Sequence, residues 1–156
     1  MNKVFLYARK SDDEHDTPIL SVEEQIMELH SFANREQIEI VDTFIEFKPA
    51  VEPGRPIFNT MLSQIEDTDI SGILAWHPGI LARNNIDGGR IIYLIDTCKL
   101  TTLKFPTFWF ESTPQGKFML NRAFEESRFY INELSKEMNN EFQERIQEEG
   151  WKRPDF

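Results

Sequence analysis

The chain has 156 residues, of which 40% are hydrophobic and 12% aromatic, enough to bury one core and too apolar for a disordered polymer. Its 17 basic residues against 27 acidic ones leave a formal net charge of −10, which opposes unaided binding to a phosphate backbone. No stretch reaches the roughly 18 apolar residues of a membrane span, and no signal-peptide pattern opens the chain, so a soluble cytoplasmic protein without membrane contact is expected.

Val4-Phe5-Leu6-Tyr7-Ala8 is a short apolar run followed at once by Arg9-Lys10-Ser11. It predicts a strand buried on both faces, with Arg9 and an exposed Ser11 at the carboxyl-end rim where α/β sheets bind ligands, and Tyr7 one pleat behind. A hydroxyl beside a fixed cation suits phosphoryl chemistry, although a serine after a strand is more often a turn former or helix cap. After a polar loop closed by Pro18, Ser21-Val22-Glu23-Glu24 fits a capping box, and Val22, Ile26, Leu29 and Ala33 carry a helix to about Asn34. Residues 38–44 read as a second strand, so the chain opens as strand, helix, strand, the start of a mostly parallel sheet.

Pro49, Pro53, Gly54 and Pro56 mark a surface loop that contains Arg55. A helix is predicted from Ile57 to about Glu66, and a third buried strand over residues 72–76. That strand exits through His77-Pro78-Gly79-Ile80-Leu81-Ala82-Arg83-Asn84, a second polar turn after an apolar run, which brings Arg83 to the rim of Arg9 and Ser11. A helix beginning at Asp87 runs to about Cys98, and residues 105–110 read as a last strand, on an edge because of Pro106. Cys98, the single cysteine, falls in the helical pattern and reads as a small core residue with no disulfide partner. His15, His30 and His77 lack metal-ligand spacing, so neither a metal nor a cofactor is expected. From Pro114 to about Glu149 no further proline interrupts the chain, and Leu120, Phe124, Ile131, Leu134, Met138, Phe142 and Ile146 form an apolar stripe. Roughly thirty-six helical residues would extend about 54 Å, more than the body of such a domain, so the stripe overhangs and calls for a partner.

Taken together, these residues resemble the N-terminal catalytic domain of the serine recombinases, the resolvase and invertase group. Tyr7-Ala8-Arg9-Lys10-Ser11 is similar to the segment bearing that family's nucleophile. Ser21-Val22-Glu23-Glu24-Gln25 resembles its first-helix motif, with Gln25 at the place of an active-site glutamine. Gly54-Arg55-Pro56 and Leu81-Ala82-Arg83-Asn84 resemble the segments carrying two further arginines. The resemblance implies an α/β core over 1–113, with helices flanking a mostly parallel sheet. It also implies a dimerisation helix and the start of a linker over 114–156, the homodimer forming through 114–149.

By that resemblance Ser11 attacks a DNA phosphodiester and forms a phosphoserine link, later reversed by the free 3′ hydroxyl after strand exchange, with neither metal nor nucleotide. Arg9, Arg55 and Arg83 stabilise the charge that builds in the transition state. Gln25 positions Ser11 or a phosphate oxygen, and Tyr7 supports Arg9. On spacing alone, Gln25 is a solvated helix position and Tyr7 a sheet residue.

Two departures stand out. Where the family reads Asp-Arg-Leu-x-Arg, this chain has Gly79-Ile80-Leu81-Ala82-Arg83, so an acid and an arginine are replaced. Losing one such donor costs about 2.7 to 4 kcal/mol of transition-state stabilisation. The region from Asn139 to Glu149 is acidic where relatives are basic, and the family's separate DNA-binding domain is expected to be absent, the chain stopping at Phe156. Three readings follow: a DNA-cleaving recombinase domain with impaired activity, a non-catalytic or redesigned assembly partner of the same fold, and a binding domain for a small phosphorylated ligand. Against the third, no Gly-x-Gly-x-x-Gly or Walker-type loop follows any strand.

Overall fold

Strand β1 (Asn2–Arg9) is the axis of the fold: its last six residues are all buried, because apolar layers pack against both of its faces. The computed structural model describes residues 2–10 and 20–125. After β1 come α1 (Val22–Glu36), β2 (Ile38–Glu46), α2 (Pro56–Asp67), β3 (Gly72–Leu74), α3 (Pro78–Leu81), α4 (Asn85–Asp96) and β4 (Thr102–Lys104). A further helix, α5, has its described part over 114–125. The four strands are all parallel, in the order β2-β1-β3-β4.

The alternation of β1 divides the core. Val4, Leu6 and Ala8 meet Val22, Leu29 and Ala33 of α1 on one face. Phe5 and Tyr7 meet Phe58, Met61, Leu62 and Ile65 of α2 and Ile91, Leu94 and Ile95 of α4 on the other, where Leu120 and Phe124 of α5 complete the layer. Close approach of α4 and α5 depends on Gly88, where a Cβ would stand 2.8 Å from the Phe124 ring. Each well-buried large apolar side chain contributes about 1.5 to 3 kcal/mol, so the two layers outweigh any single polar interaction described below.

The sheet order reverses between β1 and β3, which is where an open parallel sheet leaves a crevice beyond its carboxyl ends. Residues 9 and 10 and the segment from Ala75 to Arg83 border that crevice.

Three expectations are corrected. The last strand is Thr102–Lys104, whereas residues 105–108 form a turn closed by an isolated bridge between Phe105 and Phe108, and residues 109–110 follow it without regular structure. Aromatic residues favour strands in general, but here Phe105 and Phe108 pack edge to face on each other across the turn. Cys98 is exposed and not in the core, because α4 ends at Asp96 and Cys98 takes a left-handed φ of 61° in the turn that follows. The exit of β3 is not a plain turn: Pro78–Leu81 forms one helical turn, α3. The predicted long helix is described only to residue 125, and the rest of it lies outside the described residues. Among the described residues no helix is long and apolar enough to cross a membrane, and no group of His, Cys, Asp and Glu is arranged to hold a metal ion.

Candidate functional site

Arg9 ends β1 on the same face as Tyr7, and it is fully buried. A guanidinium in that position must spend its donors, and it does so on backbone carbonyls: Nε to Ile80 at 2.9 Å, one terminal nitrogen to Gly79 at 3.0 Å and the other to Lys48 at 3.3 Å. Arg83 follows α3 and lies 5% exposed. Its Nε donates to the same Gly79 carbonyl, also at 3.0 Å. The two predicted arginines are therefore together, aimed at one oxygen between the ends of β1 and β3.

Arg55 reaches the same region from the start of α2, and it is 2% exposed. It donates to the Tyr7 hydroxyl at 3.0 Å, to the Leu81 carbonyl and to Asp87 Oδ2 at 3.1 Å, while its guanidinium lies 3.9 Å from the centre of the Phe58 ring. Its Nε is a buried donor with no acceptor among the described residues. Asp87 is as deeply buried as Arg55, and it is held by Asn84, which caps α4 and also donates to the Ala50 carbonyl. The arginine loop and the start of α4 are thus tied by a buried ion pair, with Asn84 bonding Asp87 Oδ2 and with Tyr7 and the Leu81 carbonyl taking further Arg55 donors, while Arg55 Nε and Asp87 Oδ1 have no hydrogen-bond partner among the described residues.

The Tyr7 hydroxyl meets Arg55, and the Arg9 charge acts on it as well. The hydroxyl donates to Glu46 at 2.7 Å and accepts from Arg55. Burial pushes the phenol well above its ordinary pKa; Arg55 opposes the rise and the hydrogen bond to Glu46 adds to it, so Tyr7 stays a protonated donor.

Gln25 is also corrected, from a solvated helix position to a fully buried one. Its amide makes two bonds with the Arg9 backbone, accepting from N at 3.3 Å and donating to O at 3.0 Å, and it donates again to the Leu20 carbonyl at 3.0 Å. One side chain therefore pins both ends of the segment that contains Ser11. Ser11 itself lies outside the described residues.

Gly79 and Ile80 are buried within α3, the Ile80 side chain belonging to the apolar core. Where an aspartate and an arginine would present side chains, α3 presents main-chain oxygens to the guanidinium groups. Two polar residues central to this network escape sequence reasoning, Glu46 and Asp87. Asp87 reads only as the start of a helix, and Glu46 as one more acid on a strand.

Residues 4–151 match a family model described as the resolvase N-terminal domain. Nothing among curated proteins matches the chain. Solved structures similar to it include a resolvase family site-specific recombinase from Streptococcus pneumoniae, at 21% identity and a TM-score of 0.61, covering 92% of this chain and 99% of that one. The N-terminal catalytic domain of TP901-1 integrase gives 21% identity and a TM-score of 0.60 over 88% of this chain and 98% of that one. The C-terminal catalytic domain of ISC1926 TnpA, an IS607-like serine recombinase, gives 14% and 0.57 over 88% and 99%. At these identities the likeness bears on the fold.

Proposed function

The chain belongs to the resolvase N-terminal domain family, and on that premise we propose that it is the catalytic part of a site-specific DNA recombinase with Ser11 as nucleophile. In this reading the Ser11 hydroxyl attacks a DNA phosphodiester, a Ser–O–P bond forms, and the 3′ oxygen leaves with the proton; the reverse attack by a 3′ hydroxyl on the phosphoserine rejoins the strands. The observation that carries it is the convergence of Arg9 and Arg83 on the Gly79 carbonyl, both at 3.0 Å. A phosphate oxygen taking the place of that carbonyl oxygen would meet two charged donors at the mouth of the strand that leads to Ser11. Arg55 adds a third guanidinium through its Nε. Gln25 acts on the main chain either side of Ser11, and Tyr7 acts through Arg55. No metal or cofactor enters the scheme.

The partners in this proposal are DNA, approached through a tether because the chain is acidic, and a second copy joined through 114–149. Whether recombination resolves, inverts or integrates depends on the DNA sites and their assembly. One observation favours the non-catalytic reading instead: α3 offers carbonyls and a core isoleucine where the family resemblance implies an acid and an arginine.

Fusion of the chain to a DNA-binding domain of known site tests the proposal. Incubation with DNA carrying that site should give a covalent protein–DNA adduct in low yield, and Ser11→Ala should abolish it. An adduct that persists in Ser11→Ala would remove the serine from the mechanism.

A further inference from the structure

Glu46 ends β2, the edge strand of the sheet, where a glutamate would ordinarily extend into water. It is instead 2% exposed, and its carboxylate accepts three hydrogen bonds: from the Tyr7 hydroxyl at 2.7 Å and the Phe58 amide at 3.0 Å on Oε1, and from the Ile57 amide at 2.9 Å on Oε2. Pro56 opens α2 and has no N–H, so these amides are the first donors that the helix presents. Arg55 occupies the N-cap position but makes no side-chain cap bond. Glu46 fills that role from another element, with its charge at the favourable end of the helix dipole.

Capping alone calls for no more than a neutral oxygen. The buried charge has a second effect, on Tyr7: a phenol that donates to a carboxylate becomes a better acceptor, and what it accepts is Arg55 at 3.0 Å. The same carboxylate holds the amide of Phe58, on whose ring Arg55 is stacked. The Glu46 main-chain carbonyl accepts from the Lys10 amide at 3.2 Å, one residue before Ser11.

We propose that Glu46 is a positioning residue: through Tyr7 and Phe58 it sets the place of the Arg55 guanidinium, and through its carbonyl it holds the strand exit that leads to Ser11. It touches no substrate, and its catalytic consequence rests on the DNA-cleavage reading given above. A purely structural cap would lower stability and leave Arg55 where it is.

Nuclear magnetic resonance of the full chain, labelled with ¹⁵N, separates the two. Glu46→Gln and Tyr7→Phe should each displace the Arg55 Nε–H resonance, whether or not stability falls. In the adduct-forming fusion at saturating DNA, each change should slow adduct formation about ten- to hundredfold, with the half-saturating DNA concentration held within about twofold. The double variant should be little slower than the slower single one, because both changes cut one relay. An unmoved Arg55 resonance in both variants, or losses that multiply in the double variant, would overturn the proposal. If Glu46→Gln does not fold, Tyr7→Phe carries the resonance test, since its ring still packs edge to face on Phe58 at 5.8 Å. If the parent fusion forms no adduct, the cleavage reading fails, and the Arg55 resonance still decides whether Glu46 holds that side chain.

Discussion

His77 caps α3 from one side of the arginine cluster, its Nδ1 accepting from the Gly79 amide at 3.1 Å, which puts the proton of the neutral ring on Nε2. Burial lowers its pKa, and the nearby Arg83 charge lowers it further. Protonation would remove the cap acceptor and add a cation beside Arg83. Since the folded pKa lies below the unfolded value of about 6.5, the contribution of His77 to stability is complete above that pH and is lost as pH falls toward the folded pKa. Urea unfolding at about pH 7.5 and about pH 5.5 should show a larger loss for the parent than for His77→Asn, which keeps a cap oxygen but does not titrate. Equal losses would mean that the ring is not held neutral by the fold. The site arginines are legible in the sequence because Arg9 and Arg83 each follow a buried apolar run, and a charge there marks a strand exit. Glu46 is not legible: it meets Ile57 and Tyr7 only because the proline-rich loop turns α2 back against the end of β2, a contact with no local signature. For the same reason the bond from Arg55 to Tyr7, 48 positions apart along the chain, has no local signature.

The elements differ in how strongly local chemistry dictates them. Ser21 caps α1 through the Glu24 amide, as the capping box predicts, and the Pro-rich loop ends in α2 with proline in its first turn. The strand at 102–104 is three residues long and carries little pattern, whereas the neighbouring aromatic run is a tight turn with a strand-like composition. Long-range pairing with β3 places β4, and no window of sequence contains that partner. The helices α4 and α5 leave Ile86, Tyr93, Phe118 and Met119 half or more exposed, and Tyr93 and Phe118 line a groove of about 530 Å³ between them. So much apolar surface on adjacent helices supports the proposed self-association, although Leu120 and Phe124, the first residues of the predicted stripe, are buried in this chain's own core. Sedimentation equilibrium should report a dimer in the micromolar range, and the pair Tyr93→Asp with Phe118→Asp should weaken it at least about tenfold, the cost of burying uncompensated charge in an apolar contact. A parent that sediments as a monomer at high micromolar concentration would instead mean that the stripe packs on its own chain.

At the scale of the whole molecule, a net charge of −10 surrounds a site built from three buried arginines. In the proposed reading the acidic body repels DNA while the arginines attract a phosphate, so a tether would supply the local DNA concentration that the surface cannot. By the family resemblance, Gly79 and Ile80 stand where an aspartate and an arginine are expected, and they bear on the same balance. Restoring them as Gly79→Asp with Ile80→Arg adds no net charge to the chain, and it changes the crevice from carbonyls and an apolar side chain to an acid and a fourth guanidinium. Because Ile80 is 3% exposed and packed in the core, the arginine must either leave that core or carry charge into it, so the restored chain should be less stable than the parent. Its chemistry should move the other way. A donor that acts on the transition state is worth about a hundred- to a thousandfold, and the aspartate gives the added cation a partner when no DNA is bound. Fused to a DNA-binding domain, the restored chain should therefore form a Ser11-dependent adduct roughly a hundredfold faster than the unrestored fusion, despite a lower unfolding midpoint. If it binds its site, assembles and still yields no adduct, the loss is not confined to those two positions, and the carbonyl-lined α3 belongs to a recombinase fold kept for assembly alone.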